Sequence, residues 1–331
     1  MSLNRSAEPI REEHEALANG HMADNSRGDP GVSPAVLTIE LRKEFRTTTA
    51  LGGLSMTVGR GEVFGFLGPN GAGKTTAVKL LLGLVRPSGG EAMVLGAPAG
   101  DRETRRRIGY LPELFRFQSW LTASEVLTLH CRLIQLPRDR AVSAIDEVLE
   151  TVGLAERRGD KVGTFSKGMQ QRLGLAVALV GDPDLVILDE PTSALDPVGR
   201  HDVRGIISRV RDRGATVFLN THLLEEAEHV CDRVCVIDRG RSIATGELVD
   251  LLGRSSSVRL KVAGLSDDDL AMIARFGDVA RDNEWLTVAR IQADEIPALV
   301  AAVVSAGGRI GAVIPEQQTL EERFLELLGK S

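Results

Sequence analysis

The sequence predicts an α/β protein with a parallel-sheet core, joined to a smaller C-terminal α+β unit. Three observations carry this prediction. The apolar run Val63-Phe64-Gly65-Phe66-Leu67 reads as a buried strand and leads through Gly68-Pro69-Asn70-Gly71-Ala72-Gly73-Lys74-Thr75-Thr76 into the helical run Ala77–Leu82. A second apolar run, Leu185-Val186-Ile187-Leu188, ends in Asp189-Glu190, and the carboxyl ends of strands are where ligands sit in parallel sheets. Beyond about residue 253 the pattern reads β-α-β-β-α-β, a split βαβ order.

At 331 residues the chain has room for one large domain and a smaller one. Residues 1–34 are polar and rich in Gly, Pro and Ser, and read as a disordered tail in which Ile10–Ala18 has the spacing of a helical turn or two. The tail lacks the charged-then-apolar layout of a signal peptide, and Met22 is a candidate alternative start. A net charge of −6 leaves no basic excess to neutralise a phosphate backbone, so no nucleic-acid partner is expected. Cys131, Cys231 and Cys235 are an odd set without a secretory context and read as reduced core residues; Cys231-x-x-x-Cys235 lacks a second ligand pair for zinc. The longest apolar stretch, Leu173 to Leu188, is interrupted by the turn Gly181-Asp182-Pro183-Asp184, so a membrane role requires a separate partner.

In chain order, Val36–Leu41 and Leu54–Val58 read as strands, with Phe45 between them. After the Ala77–Leu82 helix come a turn at Pro87-Ser88-Gly89-Gly90, a strand at Ala92–Leu95, a solvated arginine-rich face at Arg102–Arg107 and a buried strand at Ile108–Leu111. Helical periodicity over Ser124–Leu136 and Arg140–Val152 implies a helical insertion. Ser166 is a natural N-cap for the helix running on to Val180, which makes that helix start either a second anion site or an ordinary capped end. The strand Ala215–Asn220 ends at Thr221-His222, Val234–Arg241 reads as a strand and turn, and Glu247–Leu252 as a helix before the linker Gly253–Ser257. The C-terminal unit is expected as a strand (Val258–Val262), a helix (Asp267–Phe276), two short strands within 278–288, a helix (Asp294–Ser305), a strand (Arg309–Ile314) and a last amphipathic helix (Leu320–Leu328).

Gly68 to Thr75 matches G-x-x-x-x-G-K-[ST] at every fixed position, between a strand and a helix as that motif requires. Its glycines allow backbone N–H groups to turn inward around phosphate oxygens, the helix N-terminus adds partial positive charge, Lys74 reaches the terminal phosphates, and the Thr75 hydroxyl is a magnesium ligand. At the neighbouring strand end Asp189 is suited to hold magnesium through its water shell and Glu190 to take a proton from an attacking water. His222 brings an imidazole to the same sheet edge.

The order of these elements resembles the ATP-binding subunit of ATP-binding cassette (ABC) transporters over about residues 36–252. By that resemblance Gly68–Thr75 is the Walker A loop, Leu185–Glu190 the Walker B strand, Ser193-Ala194-Leu195-Asp196 the D-loop, His222 the switch histidine, and Phe45 the aromatic that stacks on adenine. The signature Leu-Ser-Gly-Gly-Gln stands here as Phe165-Ser166-Lys167-Gly168-Met169, which keeps Ser166 and Gly168 for phosphate contact. The Q-loop glutamine is replaced by Glu113, whose carboxylate can reach magnesium or its water, with Gln118 the alternative. Both departures are similar to those in drug- and antibiotic-resistance exporters of the ABC-2 type.

The resemblance implies a parallel-sheet core with an antiparallel β subdomain and a helical subdomain at about 115–180, within an ATP-binding domain of residues 35–252, followed by a C-terminal α+β domain, 253–331, of ferredoxin-like pattern. It implies ATP and Mg2+ as ligands, the latter through Thr75, Asp189 and Glu113. The catalytic residues are Glu190, His222 and Lys74; Gly68, Pro69, Asn70, Gly71, Ala72, Gly73, Thr75 and Thr76 complete the phosphate loop. The implied partners are a second cassette subunit, as a homodimer, supplying Ser166 and Gly168, and a polytopic membrane permease that holds the chain on the cytoplasmic face of the membrane. Two rivals differ in class: a soluble ABC-type ATPase in cofactor assembly or nucleic-acid and ribosome work, and a small-molecule P-loop kinase, which needs no Ser166 signature and no dimer.

Overall fold

The computed structural model describes residues 33–193, 195–252, 255–317, 319–327 and 329. All but two residues of the expected N-terminal tail lie outside that set, as do Ala194, the linker residues Gly253 and Arg254, and Leu328. The first two strands, β1 (Val36–Phe45) and β2 (Thr48–Val58), are longer than their apolar cores. They pair antiparallel from Val36↔Val58 out to Phe45↔Thr48, so ladder hydrogen bonds carry the polar outer half that hydrophobic alternation does not mark. The wholly buried β3 (Val63–Leu67) follows, then α1 (Lys74–Leu81), β4 (Gly89–Val94) and β5 (Ala97–Pro98). Strands β2-β1-β4-β5 form a four-stranded antiparallel sheet. The Arg-rich segment is a one-turn helix, α2 (Arg102–Arg105), capped by Asp101.

The central sheet adds β6 (Ile108–Leu111), β7 (Leu185–Asp189), β8 (Thr216–Thr221), β9 (Arg233–Asp238) and β10 (Arg241–Glu247), in the order β10-β9-β3-β8-β7-β6. Its pairings are parallel except β9 with β10. β10 corrects the turn-then-helix reading of this stretch. It is a half-exposed edge strand with Ile243 as its one large apolar residue, so it has no hydrophobic signature. The hairpin makes it a strand: Arg239 and Gly240 have φ of 46° and 77°, the paired positive values of a tight turn matched to strand twist.

The helical insertion comprises α3 (Ala123–Leu133), α4 (Arg138–Thr151) and α5 (Lys167–Leu179). A reciprocal capping box between Thr122 and Glu125 starts α3 one residue before the expected Ser124. Two further helices, α6 (Pro197–Asp212) and α7 (Leu224–Val230), follow β7 and β8. They place helices on one face of the central sheet while the antiparallel sheet and α1 cover the other, giving two apolar clusters. Strand β3 serves both, with Val63 and Leu67 facing the helical side and Phe64 and Phe66 the other, where both rings approach Phe218 at 5.8 and 5.4 Å between centroids. Cys131, Cys231 and Cys235 are free and buried, as expected.

A short α8 (Leu248–Leu252) leads to β11 (Ser255–Ala263), α9 (Asp267–Ile273), β12 (Asp278–Asp282), β13 (Trp285–Gln292), α10 (Ile296–Ser305) and β14 (Arg309–Gln317). The sheet order β12-β13-β11-β14, antiparallel throughout, is that of a split βαβ fold. α9 ends at Ile273 and continues as a 3-10 turn, Ala274–Phe276, where an unbroken helix to Phe276 was expected. The last helix, α11 (Leu320–Leu327), turns away from this sheet. Leu320 is 1% exposed within the large unit's apolar cluster, and its amide donates to the Glu228 carboxylate on α7.

Candidate functional site

In-register parallel pairing brings four strand ends to one edge. Leu67 of β3 pairs with Thr221 of β8, Asn220 with Asp189 of β7, and Leu188 with Leu111 of β6. The loops that leave this edge hold Gly68–Lys74, Glu113, Asp189–Glu190 and Thr221–His222.

The Gly68–Lys74 loop is shaped by backbone that only glycine supplies. A Cβ on Gly68 would stand 2.4 Å from the Ile237 carbonyl oxygen, and one on Gly73, at φ 106°, would stand 2.4 Å from that of Ala50. Gly73 is also the N-cap of α1, and no side chain caps that helix. The first-turn N–H groups therefore retain their capacity for an anion. Lys74 is 7% exposed, and its ammonium donates to the carbonyl oxygens of Gly68 at 2.6 Å and Pro69 at 3.2 Å, which fixes it across the loop. Burial lowers its pKa, and Glu190, Asp189 and Glu113 act in the opposite sense. Thr75 is exposed in the first turn, with Thr76 half-buried behind it; Asn70 and Gly71 are exposed and Ala72 is buried.

Asp189 is 2% exposed and accepts a hydrogen bond from the Asn220 amide. Burial is the main cause that raises its pKa; the Asn220 bond opposes it, and the charges of Glu113 and Glu190 add to it. Glu190 is 8% exposed with φ 52°, a left-handed backbone that is unfavourable for a glutamate. Its amide donates to the Asn220 carbonyl at 2.8 Å; its Oε1 lies 2.7 Å from His222 Nδ1 and its Oε2 accepts from Thr221 Oγ1 at 3.3 Å. The carboxylate is thus held by two groups of the next strand's end, with the imidazole side chain 42% exposed toward solvent. Glu113 is exposed, and its charge reaches Lys74, Asp189 and Tyr110. The Tyr110 hydroxyl is pushed up to about 12, first by burial and then by Asp189 and Glu113. Gln118 is also exposed, but its recorded contact is through its carbonyl, which accepts from Leu121 N. Of these two candidates, Glu113 is the side chain coupled to the site.

The remaining sequence-predicted residues make their contacts elsewhere. Phe45 ends β1, is 46% exposed, and carries the Lys43 ammonium 4.8 Å above its ring. Ser166 is the N-cap of α5, its hydroxyl accepting from Met169 N at 3.2 Å, and a Cβ on Gly168 would find its nearest neighbour in Leu195 at 3.9 Å. Three residues that motif reading did not single out hold the site together: Asn220, Thr221 and Gln171, whose amide donates to the Pro191 carbonyl at 2.7 Å. The one local signal for Asn220 is a polar side chain inside an apolar strand; for Gln171 there is none.

A protein-family model described as ABC transporter matches residues 51–193. An uncharacterized ABC transporter ATP-binding protein of Nostoc sp. is 40% identical over 304 residues, covering 89% of this chain and 90% of the relative. The chain belongs to the ABC transporter ATP-binding family. Its relatives in this family include the linearmycin resistance ATP-binding protein LnrL of Bacillus subtilis, 33% identical and covering 88% and 97% of the two chains, and the Nod factor export ATP-binding protein I of Rhizobium sp., 35% identical and covering 88% and 95%. A solved ATP-binding subunit of an ABC transporter superposes with a TM-score of 0.60 at 30% identity, over 66% of this chain and 91% of the other. As a member of this family the protein binds and hydrolyses ATP. Among the described residues, no helix is long and apolar enough to cross a membrane.

Proposed function

We propose that the protein is the ATP-hydrolysing subunit of an ABC-2-type exporter, working as a pair of cassettes beneath a polytopic permease on the cytoplasmic face of the membrane. The observation that carries the catalytic part is the Glu190–His222 contact of 2.7 Å beside Lys74 at one sheet edge. Export is supported by relatives named for Nod factor export and linearmycin resistance that match the chain along nearly its full length. These relatives favour an exporter over the soluble-ATPase reading.

In the proposed cycle Phe45 stacks on the adenine, and the loop amides with Lys74 grip the phosphates. Water attacks the γ-phosphorus in line, the bond to the β-phosphate oxygen breaks, and Glu190 orients the water and takes its proton. Lys74 and His222 stabilise charge on the equatorial oxygens. The donor set suits magnesium: Asp189, Glu190 and Glu113 act on the single Lys74 ammonium, an excess of negative charge that a divalent cation would balance. Thr75, Asp189 and Glu113 are the residues that would hold it, and bound there it would neutralise phosphate charge. Ser166 and Gly168 of a second copy would complete the site from across the dimer.

The testing variant is Glu190→Gln. Turnover is expected to fall about a thousandfold, with ATP binding retained and an ATP-stabilised dimer appearing in size exclusion. An unchanged rate would remove Glu190 from the chemistry. Co-purification of a polytopic membrane protein with the native chain tests the transporter role.

A further inference from the structure

The helix that follows His222 contains a buried carboxylate that the chemistry above does not use. Glu226 is 4% exposed on α7, and its Oε2 has no hydrogen-bond partner among the described residues. Its counter-charge is Arg204 of α6, with Nε 3.8 Å away, close enough for attraction but beyond a hydrogen bond. A carboxyl group withdrawn from water with one oxygen left without a hydrogen bond is costly, so its position calls for an explanation. The two helices it bridges provide one. α6 starts at Asp196, which caps it by accepting from Gly199 N at 2.8 Å and ends the Ser193–Asp196 loop. α7 starts two residues after His222, and Thr221 Oγ1 both accepts from Leu223 N at 3.0 Å and donates to Glu190.

We propose that Glu226 is a positioning residue for ATP hydrolysis: through Arg204 it ties the helix behind the His222 switch to the helix behind the Ser193–Asp196 loop. This rests on the functional reading of His222 and of a two-cassette site. α7 is held by the Leu320 amide of α11, which donates to Glu228, and by Ala227 and Val230, which share an apolar core with Val203, Ile206, Ile207 and Val210 of α6. Between these packed helices the loose contact is the polar one, Arg204 with Glu226. A second copy pressing on the Ser193–Asp196 loop would shift α6, and closing the Arg204–Glu226 gap into a hydrogen-bonded pair would carry that shift to His222. The unpaired oxygen is the capacity held in reserve for that contact.

The test compares Glu226→Gln, Arg204→Met and the double variant with the parent by steady-state ATPase kinetics, with thermal unfolding as a control for folding. Each single variant is expected to lower kcat about tenfold while KM for ATP moves less than about threefold, and the double variant to be no worse than either single one. Arg204→Lys, which keeps the charge, should restore most of the rate. In a Glu190→Gln background, Glu226→Gln should weaken ATP-driven dimerisation. A Glu226→Gln rate within twofold of the parent, single losses that multiply in the double variant, or a loss that simply follows a drop in folded protein would each overturn the proposal. Should Glu226→Gln fail to fold, the Arg204→Met and Arg204→Lys pair carries the same kinetic reading. Failure of Glu190→Gln alone to trap a dimer would strike the functional reading, whereas intact trapping beside an unaffected Glu226→Gln strikes this inference alone.

Discussion

At the start of α1 the N-cap is Gly73, left-handed and without a capping side chain; at the start of α5 it is Ser166, whose hydroxyl already accepts from the Met169 amide. Both helix starts carry residues assigned to phosphate contact, yet one presents free amides beside a fixed lysine and the other satisfies its own. The first has, within one chain, the free amides and the ammonium that a phosphate needs. The second has to share its capping hydroxyl to touch a nucleotide, which suits a group brought in from a neighbouring copy. The contrast divides binding from completion: α1 should govern how ATP is held, and α5 how quickly it is cleaved once two cassettes meet.

The sharpest way to break this division is Lys74→Ala, which is expected to reduce ATPase turnover about a thousandfold and weaken nucleotide binding in fluorescence titration. Affinity and rate that both survive would mean that the loop amides alone provide the grip. The next effect belongs to Ser166→Ala: turnover lower by about 10- to 100-fold with monomer affinity for ATP unchanged, and stability lower by about 1 kcal/mol from the lost cap. A change in monomer affinity would place Ser166 in the binding half and dissolve the contrast.

The smallest expected effect concerns the charge that the binding half has to accommodate. The Asp189 carboxyl is held above its ordinary value of 3.8 by burial and by neighbouring carboxylates, so the folded state favours its protonated form. The penalty on the ionised form is absent below the ordinary value and grows as pH rises through the raised one. Asp189→Asn should therefore unfold at a higher temperature than the parent at neutral pH, in the absence of nucleotide and metal, and lose that advantage in acid. A melting temperature at or below the parent's at pH 7 would show that the site's acids are already compensated within the chain.

The local parts of this site were legible because their signals are local. Gly68 to Thr75 announces its own backbone geometry, and the steric contacts at Gly68 and Gly73 give the reason. Asp189, Glu190 and His222 could be placed because each follows directly on an apolar strand. Asn220 could not, since its value to Asp189 arises from the register of β7 against β8 and changes face with a slip of one residue. β10 was missed for a related reason: its pairing with β9 is made by a turn and a ladder, with little apolar surface to pattern it.

What the sequence alone determined was the kind of chemistry: a phosphate loop, two acids and an imidazole at strand ends, and a serine-capped helix held in reserve. Tertiary structure decided which of these meet. Glu190 and His222 stand 32 positions apart and touch because two parallel strands end level, and that alignment comes from the burial of both sheet faces. It also decided that Leu320, beyond the C-terminal sheet, completes the core of the large unit. An amphipathic helix declares an apolar face, but the surface that buries it is settled by which surface lies within reach.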